Sequence, residues 1–180
     1  MQKTFTNKPN VDELISLFNQ LFFDRYNTVL IKGEDEPIYL PADNSSPHNR
    51  IVFAHGFFAS ALHEISHWCV AGAKRRELVD FGYWYKPDGR TAEEQREFEK
   101  VEVRPQAYEW ILSVAAGHRF HFSADNLSSE IGASDHFQEN VLKMVHGLLD
   151  HGLPERVGML VEALRIHNNR EPLSKNEFKL

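Results

Sequence analysis

Apolar positions recur along the chain with two different periods, and each period marks a different kind of element. Between residues 10 and 24, Val11, Leu14, Ile15, Phe18, Leu21 and Phe22 fall on one stripe of a 3.6-residue helix. Asn10 is placed to cap it, with Glu13 three positions later as in a capping box. Two short runs follow, 28–31 (TVLI) and 38–40 (IYL), and the turn-forming KGEDEP between them predicts a hairpin. Residues 42–49 are loop by composition, and 50–54 (RIVFA) form a compact apolar run expected to be a buried strand.

From about Ser60 the period becomes helical again through ALHEISHWCVAGAKRR. Gly72 and the basic residues 74–76 fit its C-terminal end, where cations complement the helix dipole. Residues 81–85 (FGYWY) are aromatic and strand-like. Thr91 with Glu94 forms a second capping box, and the helix it starts runs into Pro105, where a kink or restart is expected. PQAYEWILSVAAG continues as a largely buried helix ending near Gly117, and 118–134 are irregular. HFQENVLKMVHGLLDHG is an amphipathic helix closed by Gly152, and PERVGMLVEALRIHN is another, with Pro154 in its first turn. No repeat or internal boundary interrupts the pattern, so the expectation is one domain over 1–180, with 1–9 and 171–180 as polar, mobile ends. The fold class expected is α/β (α+β): a small mixed sheet packed with several helices.

Composition narrows the functional classes. The chain has 180 residues, 42% of them hydrophobic and 26% charged, which is ordinary for a globular protein. One cysteine excludes an intrachain disulfide framework and fits a reducing compartment. No apolar run is long enough to span a bilayer, and the N-terminal residues lack the features of a secretory leader, so a cytoplasmic location is expected. A net charge of −6 gives no global attraction to nucleic acid, and no direct nucleic-acid partner is expected. Ten histidines raise the prior for metal or proton chemistry.

One segment gives that chemistry a place. His63-Glu64-Ile65-Ser66-His67 is HExxH on a predicted helix. Residues four apart lie one turn apart on one face, so two imidazoles can share one metal ion while Glu64 reaches a metal-bound water or relays a proton. No third histidine follows at metzincin spacing. The carboxylate that completes the set is sought in VEVRPQAYEWI, where Glu102, Gln106 and Glu109 share a helical face if the helix passes its proline. Glu102 is favoured as the ligand, Glu109 is the alternate and a second catalytic carboxylate, and Glu64 stays open as a ligand. Cys69 lies about 200° around the helix from His67 and reads as a small buried hydrophobe. His55 in the preceding turn and the His118/His121 pair are expected to be structural or surface groups, and Tyr83, Trp84 and Tyr85 to be core. The basic run Lys74-Arg75-Arg76 is expected to be a solvated helix end. No GxSxG, Walker or dinucleotide fingerprint is present.

On these residues alone three classes remain open: a redox metal enzyme, a zinc hydrolase using HExxH, and a non-catalytic protein with a structural histidine pair. A longer resemblance separates them. LIKGEDEPIYLPAD, RIVFAHGFFASALHEISHWCVAG, RRELVDFGYWYKPDGR, VEVRPQA, VAAG and DNL together resemble the bacterial elongation factor P hydroxylase family, over roughly residues 26–127. The resemblance implies hydroxylation of the β-lysylated lysine of elongation factor P, with dioxygen as co-substrate. It implies a two-histidine, one-carboxylate centre for a divalent metal, most plausibly Fe(II), held by His63, His67 and Glu102. It also implies an α/β fold similar to a small metal-dependent endoribonuclease. The substrate arm is cationic, which makes Asp80, Asp88 and Glu109 candidates for reading its ammonium groups.

Overall fold

The computed structural model describes residues 9–83, 89–123 and 133–180. Its described residues form five α-helices and a three-stranded mixed sheet around one hydrophobic core. The first helix, α1 (Val11–Tyr26), has the expected N-cap, the Asn10 side chain accepting the Asp12 N–H at 2.8 Å, but Glu13 does not close a capping box: its carboxylate meets His167 Nε2 at 3.0 Å instead. Leu14, Phe18 and Phe22 are its buried residues, on the stripe read from the sequence.

The strands β1 (Thr28–Lys32), β2 (Ile38–Leu40) and β3 (Asn49–Phe53) lie in the order β1-β3-β2. The expected β1–β2 hairpin is therefore corrected. β3 inserts between the two, parallel to β1 with Leu30 opposite Ile51, and antiparallel to β2 with Tyr39 opposite Ile51. The physical reason is burial. Ile51 and Phe53 of β3 are buried at 1% and 0% exposure, and the central position satisfies that strand's backbone on both edges. Gly33, just past β1, passes so close to β3 that a Cβ there would meet Val52 Cγ1 at 2.5 Å.

A short 3₁₀ turn over Ala54–Gly56 leads into α2 (Phe58–Val70), the helix that carries HExxH. α2 ends sooner than the sequence implied. Residues 75–77 form a separate 3₁₀ turn rather than the helix end. The C-terminal carbonyls of α2 are met instead by two arginines from elsewhere. Arg156 donates to Trp68 O (2.6 Å), Cys69 O (3.2 Å) and Ala71 O (2.7 Å), and Arg76 donates to Ala71 O (2.7 Å). Residues 79–82 are a 3₁₀ turn as well, not a strand. Asp80 and Phe81 adopt left-handed backbone there, and Tyr83 is 44% exposed rather than core; Trp84, Tyr85 and Asp88 lie outside the described residues.

α3 (Ala92–Ala116) is a single helix of 25 residues, opened by the Thr91/Glu94 capping box and closed by left-handed Gly117. It runs through Pro105, where a kink or restart was expected. The proline forfeits the bond to the Val101 carbonyl. Val101 is 59% exposed, so that turn faces water, while Pro105 itself packs in the interior. α4 (Asp135–His151) and α5 (Glu155–His167) follow as read, with Pro154 as the residue preceding α5. The C-terminal segment, expected to be a polar, mobile end, is tied to the core at one ring. A Ser174/Glu177 capping box organises a 3₁₀ turn, and Phe178 is buried against Trp110 with ring centroids 5.6 Å apart.

Two aromatic clusters fix the helices that matter for the site. On α2, Trp68 is enclosed by Phe18, Phe22 and Tyr26, all from α1, at ring distances of 5.0–5.5 Å. On α3, Trp110 stacks on Phe120 at 5.2 Å and meets Phe122 and Phe178 edge-on. Leu62, Ile65 and Trp68 are fully buried, which pins one side of α2 to the core and fixes the rotation of the side that carries the two histidines.

Candidate metal centre

His63 and His67 project from the side of α2 that faces α3, one turn apart, with ring centroids 4.7 Å apart. Their Nε2 atoms point at one another across 3.1 Å. Glu102 enters from α3, its Oε1 3.3 Å from His67 Nε2. One ligand atom from each of His63, His67 and Glu102 lies within 4.8 Å of the others. Donors about 2.1 Å from a shared ion stand roughly 3.0–3.4 Å apart at octahedral or tetrahedral angles. The two measured separations fall in that range, so the donor set fits a single divalent cation.

Glu109, seven residues on from Glu102, occupies a different position. Its Oε2 accepts the Nδ1–H of His63 at 2.8 Å. A carboxylate accepts only, so Nδ1 carries a proton, and Nε2, the nitrogen that faces the centre, is the one that gives up its proton to ligate. This is the carboxylate–histidine support that orients metal-ligating imidazoles. The expected face of Glu102, Gln106 and Glu109 therefore exists, and all three are buried, at 3%, 1% and 7% exposure.

The electrostatics favour a cation. Burial opposes charge on His63, but the carboxylates of Glu109, Glu64 and Glu102 outweigh it and hold the imidazole well above its ordinary pKa. Burial and the positive field of His63 push His67 down to about 3. The cluster thus holds positive charge against buried carboxylates, and a divalent ion satisfies both better than a shared proton does. Glu64 is half-buried on α2, and its carboxylate is close enough to act on His63.

Other sequence candidates fall elsewhere. Cys69 is buried, and burial pushes its thiol up to about 12, which fits an inert core residue. His55 is exposed with left-handed backbone, its ring against Phe57, and it does not join the donor set. His118 packs on Phe58 at 5.1 Å and His121 is exposed; neither belongs to a metal-ligating group among the described residues. Asp80 accepts the Tyr39 N–H at 2.8 Å and Glu109 is committed to His63, so both carboxylates have structural work to do.

The sequence placed Gln106 on the site face without giving it a role, and it missed Arg156 altogether. Gln106 clamps the 118–123 segment over the site face, donating to Ser123 O at 2.7 Å and accepting from Ser123 N at 3.2 Å. Its place between Glu102 and Glu109 was the available signal. Arg156, which holds the end of α2, is 88 residues from Trp68, and no local pattern points to it.

A helix-borne histidine pair completed by a buried glutamate from a second helix defines a two-histidine, one-carboxylate protein class. Comparison with known proteins narrows that class. The chain belongs to the elongation factor P hydroxylase family, whose profile matches residues 17–178. It is 56% identical over 154 residues to the elongation factor P lysine hydroxylase of Haemophilus influenzae, covering 86% of each chain.

Proposed function

We propose that this protein hydroxylates the β-lysylated lysine of elongation factor P, using an Fe(II) ion held by His63, His67 and Glu102. The observation that carries this reading is the convergence of those three donors within 4.8 Å in a member of the elongation factor P hydroxylase family. When bound, ferrous iron supplies the redox chemistry with dioxygen that a d¹⁰ zinc ion lacks and that oxygen insertion into a C–H bond requires.

The chain's own residues set the conditions for that chemistry. His63 and His67 present neutral nitrogens, and Glu102 supplies the anionic ligand; three protein donors leave positions open for dioxygen and for substrate. Glu109 keeps His63 in the Nδ1–H tautomer. Glu64, half-buried beside His63, holds or passes a proton at its carboxylate. The buried side of α2 excludes water behind the centre. The same reading covers the likeness to a metal-dependent endoribonuclease fold, supported by the mixed sheet and histidine-bearing helix, and a cytoplasmic location. Of the latter, no helix among the described residues is long and apolar enough to cross a membrane.

The test is the intact mass of β-lysylated elongation factor P after incubation with iron-loaded enzyme, dioxygen and a reductant. A gain of about 16 Da, one oxygen atom, is expected from this chemistry. Unchanged mass, together with chelator-sensitive cleavage of casein or RNA by the zinc-loaded protein, would replace the reading with a zinc hydrolase.

A further inference from the structure

A groove with a volume of about 900 Å³ lies away from the metal centre, between α3 and α4. Its α3 wall includes Val103 and Arg104, which directly follow the ligand Glu102, so it opens about 100° to 200° around the same helix. Its α4 wall runs from His136 to His151, about 22 Å at the helical rise. That length suits a segment of a protein partner better than a small molecule.

The rim is cationic although the chain carries a net charge of −6. Arg96, Arg104 and Lys143 are exposed there and make no ion pair among the described residues. Lys100 joins them, paired with Glu97 on its own helix. The acid that lines the groove, Glu99, is turned to α4, where its carboxylate accepts the Ser134 N–H and hydroxyl at 3.5 and 3.0 Å. Below the rim, Val103, Met144 and Leu148 form a half-buried apolar floor.

Gly147 adds an independent sign. It sits inside α4 on the groove side, where glycine weakens a helix relative to alanine. Nothing among the described residues needs it: its backbone is not left-handed, and a Cβ added there would meet none of their atoms within 4 Å. A bare helix surface facing open space lets an incoming backbone approach closely.

We infer that this groove docks an acidic segment of the protein substrate, apolar side chains on the Val103–Met144–Leu148 floor and carboxylates toward Arg96, Arg104 and Lys143. Nucleic acid fits less well. The floor is aliphatic and Phe137 beneath it is only 2% exposed, so the rings left for a base to stack on are the imidazoles of His136 and His151 at the two ends of the groove. The identity of the occupant as the substrate rests on the hydroxylase reading; the groove's charge and shape do not.

The test compares kcat/KM for whole β-lysylated elongation factor P with kcat/KM for a short peptide carrying only the modified lysine. The enzymes are the wild type, an Arg104→Glu/Lys143→Glu double variant and Gly147→Phe. Binding of the labelled whole substrate is measured by fluorescence anisotropy in parallel. Lys74→Glu, an exposed cation outside the groove, is the control. The preference for whole protein over peptide should fall about tenfold or more in both groove variants, with the wild-type preference weakening as salt rises. It should be kept in Lys74→Glu. Retained preference and unchanged anisotropy in groove variants that keep the wild-type circular dichroism would overturn the inference. So would a transfer RNA whose binding is lost on charge reversal while substrate binding is not. If the wild type leaves the mass of elongation factor P unchanged, the hydroxylase reading fails, and the anisotropy arm alone then decides the groove.

Discussion

Glu109 shows how one carboxylate divides the labour of the site. From sequence it was a spare acid one helical face along from Glu102, open to roles as ligand, catalyst or reader of a cationic arm. In the fold its oxygen is 2.8 Å from His63 Nδ1, and on the proposed reading it orients a ligand. Glu109→Ala should therefore weaken metal affinity about 10- to 100-fold, as loss of an outer-shell partner does. Titration of apo-protein with Fe(II) or Co(II) under anaerobic conditions checks this, and unchanged affinity would leave Glu109 without that role. Glu102, His63 and His67 were legible because helical spacing alone puts each pair of groups on a face. What spacing could not give is which face meets which. That depends on the rotation of α2 and α3, set by Trp68 and Trp110 packing among rings from distant segments.

At the scale of elements, local signals held where local physics decides and failed where tertiary contacts do. The caps at Asn10 and Thr91 and the stop at Gly117 are short-range hydrogen-bonding patterns, and they stand as read. The hairpin between β1 and β2 was a reasonable inference from a turn-forming linker. It lost to the next strand along the chain, because β3 is the run whose burial requires partners on both edges. Pro105 did not end its helix, because packing on both sides of it outweighs one missing bond. The end of α2 is the least local feature of all. Arg156 meets three of its carbonyls, and its guanidinium carbon lies 4.6 Å from the Trp68 ring centre. Arg156→Ala should destabilise the protein by about 2–4 kcal/mol in urea unfolding, since it leaves part-buried carbonyls without a charged donor. A change below about 0.5 kcal/mol, the range of ordinary surface substitutions, would show that water replaces the arginine at no cost.

Across the described residues, the first helix and the C-terminal segment converge on the two helices that carry His63, His67 and Glu102. α1 encloses Trp68 behind the histidines of α2, and the C-terminal segment places Phe178 on Trp110 behind the glutamates of α3. The polar composition of the last ten residues hid that single buried ring. Phe178→Ala should cost about 3 kcal/mol or more in stability, a value for a core aromatic and not for a mobile tail; a loss near zero by thermal or urea denaturation would return the segment to the surface. The account as a whole depends on an ion shared by α2 and α3. The most direct measurement is elemental analysis of protein purified without oxygen, wild type beside His67→Ala. The expected result is one iron per wild-type chain and none in the variant. Wild-type protein that contains no transition metal and takes up none on titration would contradict it.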